Sequence, residues 1–370
     1  MERYRQVLLQ DYKQMVSFDS VSFRERKTAD FLTERLKKMG FTVTEDTAAE
    51  YYGGNAGNIY AVRKGRLPGS PILFSAHMDV VEPGTGKTAV LAGDILRSDG
   101  KTVLGADDIN GILEILYGIQ AVLDQGEDHR DIEVLFTIGE EMYGKGAKIF
   151  DYSRIKAREA YVLDMSGEIG KAAYKAPSII SFTLEITGRS AHAGFCPENG
   201  IHSICVAAEI IEKLPRGRVG SDTTFNIGTI QGGTLTNIVP EKTVCRGEIR
   251  SYDHEKALSL CEDIVRQAKT TAQKYGAAIS FTKEVHIRAY ETALTSLCVG
   301  HFREAAKRLF LVPELKETFG GSDNNVFAEH GIEGIVLSCG MHDVHSTAEY
   351  TSVRELLDGA QLVRELTKCK

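Results

Sequence analysis

The chain has 370 residues, 42% hydrophobic and 26% charged, enough for about two packed domains and too apolar for disorder or a fibre. Its formal charge of −7 argues against nucleic acid as a partner, since such binders present basic surfaces. Helical spacing is expected over 2–17 and 24–39, with Val7, Leu8, Phe31, Leu32, Leu36 and Met39 as apolar anchors and Gly40 as a C-terminal stop. Apolar runs at 58–63 (NIYAVR) and 71–78 (PILFSAHM) read as strands. GADDINGILEILYGIQAVL reads as a turn entering a long helix near Ile109. IEVLFTIG (132–139) and AYVLD (160–164) are short, continuous and rich in Val, Ile, Leu and Phe, as buried strands are. This alternation predicts an α/β domain with a mostly parallel sheet.

The pattern changes near Ala176. SIISFTLEITG (178–188) alternates like a half-exposed strand, and IHSICVAAEIIEKL (201–214) has helical spacing. TTFNIGTIQGG and TVCRGEIRSYD read as strands, HEKALSLCEDIVRQAKTTAQKYG as an amphipathic helix, and 277–290 as a last strand. The order β-α-β-β-α-β predicts an inserted α+β, ferredoxin-like domain at 176–290. The α/β pattern then resumes with a helix at 295–310, a strand at 332–340 and a helix at 352–367, so 1–175 and 291–370 form one interrupted domain.

Seven cysteines stand singly with no C-x-x-C pair, which fits reduced thiols in a cytoplasmic protein. The amphipathic start MERYRQVLLQDYKQM lacks a secretory apolar core, and no run approaches the ~18 apolar residues of a membrane span.

Polar residues gather where the expected strands end. His77 and Asp79 close one strand, Glu140 and Glu141 follow the next, Asp164 ends a third, and His342 and His345 follow a fourth; Asp107 and Asp108 precede the long helix. Open α/β sheets bind ligands beyond the carboxyl ends of their strands, so these positions point to one place. Imidazoles and carboxylates together suggest metal-assisted chemistry. Their number exceeds what one tetrahedral ion needs and suits a pair bridged by a carboxylate. Each piece has a plainer reading: Asp107-Asp108 as a helix cap, Glu140-Glu141 as a solvated turn.

The segments SAHMDVV, GADDINGI, IGEEMYG, VLDMSG, GRSAHAG, TNIVPE and HDVHSTAEY, in this order, resemble the zinc-dependent metallopeptidases that include peptidase T, glutamate carboxypeptidase, the aminoacylases and succinyl-diaminopimelate desuccinylase, with peptidase T the nearest in pattern. The resemblance implies a zinc-binding catalytic domain at 1–175 and 291–370 and a lid and dimerisation domain at 176–290. It implies two Zn2+ ions, with Co2+ or Mn2+ as substitutes. His77 and Asp164 would complete one metal site, Glu141 and His345 the other, with Asp107 bridging through a cis peptide to Asp108. Asp79 would hydrogen-bond His77, and Glu140 would be the general base. His192 and Asn237 would meet the oxyanion, and Arg250 a substrate carboxylate. The motif HDVH holds two histidines, and the match selects His345. Asp at 164, where deacylase branches carry Glu, favours peptide substrates. The expected activity is therefore a cytoplasmic, homodimeric tripeptide aminopeptidase, with an N-acyl-amino-acid deacylase or desuccinylase as the alternative.

Overall fold

The computed structural model describes residues 1–369 and divides them into two compact units. The first comprises Met1–Lys175, Glu291–Thr318 and the chain from Ser322; the second comprises Ala176–Tyr290 and Phe319–Gly321.

In the first unit a nine-stranded mixed sheet runs Thr42–Glu45, Ile59–Arg63, Ile132–Thr137, Ile72–His77, Glu159–Met165, Glu333–Ser338 and Lys171–Ala176 along most of its width. The strands 132–137, 72–77, 159–165 and 333–338 pair in parallel, and the flanking strands are antiparallel. The central strands are buried on both faces, which explains their continuous Val, Ile, Leu and Phe runs. Their parallel direction places His77, Glu140 and Asp164 at one end of the sheet.

The helix Ala106–Asp124 is apolar nearly all round and buried along most of its length. It packs on strand 72–77 and on helix Val353–Thr367. Gly118 allows the second contact, because a Cβ there would lie 2.6 Å from the Ala360 carbonyl oxygen. Regular helical geometry begins only at Ile109; Asp107 and Asp108 have non-helical backbone angles.

A small antiparallel sheet of Met341–His342, Tyr350–Ser352, Ile95–Ser98 and Ala89–Ala92 was not anticipated. Its strands have two to four residues, too short for alternation to register. It holds the segment that carries His345 and Glu349.

The second unit is a five-stranded antiparallel sheet in the order Gly217–Arg218, Thr223–Gly232, Lys242–Ser251, Ser178–Thr187, Ala278–Ile287. Helices Ser203–Lys213 and His254–Tyr275 cover one face. Ile180, Phe182, Leu184 and Ile186 alternate toward that face and meet Val206, Ala207, Ile210, Cys261, Ile264 and Ala268. Gly276, at φ 68°, ends the long helix in the left-handed conformation that glycine adopts freely. The sequence reading left 319–321 with the first unit. The structure moves them to the second, where Arg250 Nη1 donates to the Phe319 carbonyl at 2.7 Å and Tyr252 packs on the Phe319 ring. Gly321 sits so close to Ile287 that a Cβ would lie 2.2 Å from its Cδ1.

Candidate metal centre

His77 is the last residue of a fully buried strand and is itself buried. Its Nδ1–H donates to the Asp79 backbone carbonyl at 2.9 Å, which leaves the lone pair on Nε2. That nitrogen faces Asp107 Oδ1 at 2.9 Å and Asp164 Oδ1 at 3.8 Å. From the other side, His345 Nε2 lies 3.1 Å from Asp107 Oδ2 and 2.9 Å from Glu141 Oε1. Two triads result, His77–Asp107–Asp164 and Asp107–Glu141–His345, each with its ligand atoms within 4.8 Å of one another. Asp107 belongs to both, one oxygen toward each imidazole. The Asp107–Asp108 peptide is cis.

Acceptor atoms this close need positive charge between them, a proton or a cation. No Lys or Arg forms an ion pair with these carboxylates among the described residues. Burial pushes the Asp164 carboxyl well above the usual range, and the neighbouring Glu140 and Asp107 add to it. Burial also works to raise Asp107, but the facing imidazoles of His345 and His77, which take up a proton when no cation lies between, outweigh it and hold that carboxyl low. The Asp107 and Glu141 carboxylates push His345 up to about 10. Imidazole nitrogens with carboxylate oxygens suit divalent cations such as zinc, and the shared carboxylate suits two of them. The residues present thus fit a metal pair.

Asp79 does more than its expected contact with His77. Its carboxylate stands 3.5 Å from Nδ1, farther than its own backbone carbonyl. Its main work is on the next strand end, where Oδ1 accepts from the Glu140 N–H at 2.9 Å and Oδ2 from the Glu141 N–H at 3.2 Å. Ser22 Oγ donates to Oδ2 at 2.7 Å. Glu140 is half-buried beside this network. Burial lifts its carboxyl well above the ordinary range against the pull of His77, with Asp323, Glu141 and Asp79 adding to the rise.

Two supporting residues escaped the sequence reading. Ser22 lies in a loop with no motif to mark it. Glu349 lies inside HSTAEY, where its acidity was the available signal. Its carboxylate accepts from Leu104 N at 2.6 Å, Gly105 N at 2.8 Å and Asp107 N at 3.0 Å, and so grips the turn that presents the shared carboxylate. Of the two histidines in HDVH, His342 points to Glu355 at 3.0 Å and stacks on Tyr350, which leaves His345 at the centre.

The remaining candidates are in the second unit. His192 and Asn237 are exposed and lie on neighbouring loops, joined by the Ala193 N–H donating to the Asn237 carbonyl at 2.9 Å. Arg250 already holds partners, donating from Nε to Glu248 at 2.6 Å and from Nη1 to Phe319.

A family model for the peptidase dimerisation domain of M20 peptidases matches residues 174–276. Peptidase T of Clostridium perfringens (strain 13) is 30% identical, over 90% of this chain and 82% of its own. The crystal structure of an aminopeptidase PepT from Bacillus cereus superposes with a TM-score of 0.92 at 34% identity, covering 98% of both chains. A tripeptidase structure from Staphylococcus aureus gives a TM-score of 0.95 at 29% identity, again over 98% of both. Whole-length likeness at these identities makes this chain a peptidase, a member of the M20 metallopeptidase family in its peptidase T group.

Proposed function

We propose that this protein is a cytoplasmic dinuclear zinc aminopeptidase that cleaves short peptides, tripeptides above all, and works as a homodimer through the unit around 176–290. The observation that carries the reading is the placement of Asp107, whose two oxygens each face a different imidazole. The names of the relatives, aminopeptidase, tripeptidase and peptidase T, support the substrate class. The matched dimerisation domain supports the dimer. Seven free cysteines support a reducing compartment, and no described helix is long and apolar enough to cross a membrane.

His77, Asp107 and Asp164 would hold one cation, and Asp107, Glu141 and His345 the other. When bound, a divalent pair lowers the pKa of water and polarises a carbonyl, which suits amide hydrolysis. Glu140 takes the proton from the attacking water and returns it to the leaving amine, the task for which a half-buried, raised carboxyl is suited. Asp79 holds the Glu140–Glu141 backbone and, through its carbonyl, the tautomer of His77. His192 and Asn237 donate to the oxyanion of the tetrahedral intermediate. Arg250 meets the terminal carboxylate of the peptide in exchange for Glu248.

The test is a hydrolysis panel of tripeptides, dipeptides and N-acyl amino acids, run with zinc and with a chelator. Preferred release of the N-terminal residue from tripeptides, abolished by chelation, is the expected result. Cleavage confined to N-acyl amino acids would replace the peptidase assignment of substrate with a deacylase one. Full activity after verified metal removal would end the metal assignment.

A further inference from the structure

His192 sits on a loop whose main chain is pinned on both sides. His192 and Ile238 form an antiparallel bridge, and the Val239 N–H donates to the Ala191 carbonyl at 2.9 Å. The loop then folds back on the histidine. The N–H groups of Phe195 and Cys196 reach the His192 carbonyl at 3.3 and 3.1 Å. Those of Gly194 and Phe195 reach the ring itself, at Nδ1, at 3.1 and 3.2 Å. A ring nitrogen that accepts two N–H groups carries the lone pair, so the imidazole proton resides on Nε2. The phenyl ring of Phe195 stacks on the imidazole with centroids 4.2 Å apart and planes at 27°. Phe195 is 86% exposed, so its ring fills no core. An aromatic left in water while stacked on a histidine is better explained by what it does to that ring than by packing.

We propose that Phe195 is a positioning residue for His192. Its ring and the backbone of Gly194 and Phe195 together fix the imidazole in one rotamer and one tautomer, with Nε2–H turned outward as a donor. The proposal rests on the reading of His192 as the oxyanion partner. A donor aimed before the substrate arrives needs no reorganisation as charge develops, which is where such hydrogen bonds earn their effect.

The experiment uses the full-length, metal-loaded enzyme and a tripeptide substrate, with four variants: H192A, F195A, F195Y and the double variant H192A/F195A. Removing the donor in H192A should lower kcat on the order of 10²-fold. F195A should lower kcat roughly 10-fold with little change in KM, since it loosens the donor without deleting it. F195Y, which keeps the ring, should restore the rate, and F195A should cost nothing further in the H192A background. Histidine-selective 15N NMR gives a readout independent of turnover: the His192 signals should report the Nε2–H form, and F195A should shift them toward a mixture of tautomers. An F195A enzyme with wild-type kcat and unchanged His192 signals overturns the proposal. So does an F195A loss that persists undiminished in the H192A background, because Phe195 would then contact substrate directly. If H192A alone leaves kcat intact, the oxyanion reading of His192 falls, while the NMR comparison still decides whether Phe195 fixes the ring.

Discussion

The two neighbouring glutamates at the end of strand 132–137 are placed differently, and the proposed mechanism gives them separable tasks. Glu141 lies within the ligand set and Glu140 does not, although Asp79 holds both backbones. Replacing Glu140 with Ala should lower kcat by about 10²–10⁴-fold, while metal content, measured by elemental analysis, stays at the wild-type level. Loss of metal together with activity would move Glu140 from base to ligand. Nearby, Glu25 is fully buried, with Oε1 accepting from Phe23 N at 2.7 Å and Gly139 N at 3.1 Å and with Oε2 unpartnered. Burial, reinforced by Asp79, pushes this carboxyl up to about 8. A carboxyl that binds its proton more tightly when folded contributes fully below its unfolded pKa, near 4.5, and the contribution fades as pH rises toward 8. E25Q keeps the acceptor and removes the ionisation. It should match the wild type in urea melts at pH 5 and exceed it at pH 8. Equal stability at both values would show that Glu25 ionises without cost.

At the scale of elements, the centre depends on how closely helix 106–124 approaches strand 159–165. Gly111 sets that distance, because a Cβ there would lie 2.2 Å from the Leu163 carbonyl oxygen and 2.5 Å from Asp108 Oδ1. The strand residue after Leu163 is Asp164, a member of the His77–Asp107–Asp164 triad. Gly111→Ala should therefore destabilise the fold by about 1–3 kcal/mol, as overpacking does. It should also weaken metal binding, measured by titration against a chromophoric chelator. Wild-type affinity in a destabilised Gly111→Ala would separate the packing from the site. The grip of Glu349 on Leu104, Gly105 and Asp107 shows the same dependence from the other side of the turn. None of these three partners is near Glu349 in sequence, so no local pattern could have disclosed the contact.

At the scale of the molecule, the candidate ligands come from segments as far apart as His77 and His345, and a cation pair would tie them together. Binding to the folded state alone stabilises it by about 2.7 kcal/mol at a free concentration ~100 times Kd. Chelation should lower Tm by several degrees, and added zinc should restore it; an unchanged Tm would mean that the metals contribute no net binding energy to the fold. Much of this architecture was legible beforehand. The buried strands announced themselves by short continuous apolar runs, and the inserted unit by a switch to alternating strands and amphipathic helices. The short sheet that carries His345 and Glu349 was hidden, because two-residue strands leave no periodicity. Residues 319–321 were misplaced for a related reason: their attachment to Arg250 and Ile287 is wholly non-local.

The sequence by itself determined the order of the longer elements, the insertion and the chemical character of the centre, since these depend on local periodicity and on residue types at strand ends. The tertiary structure decided which oxygen of Asp107 faces which imidazole, that Asp79 serves the glutamate turn more than His77, and that Glu349 and Ser22 support the site. Those facts are distances between atoms far apart along the chain, and only packing fixes them.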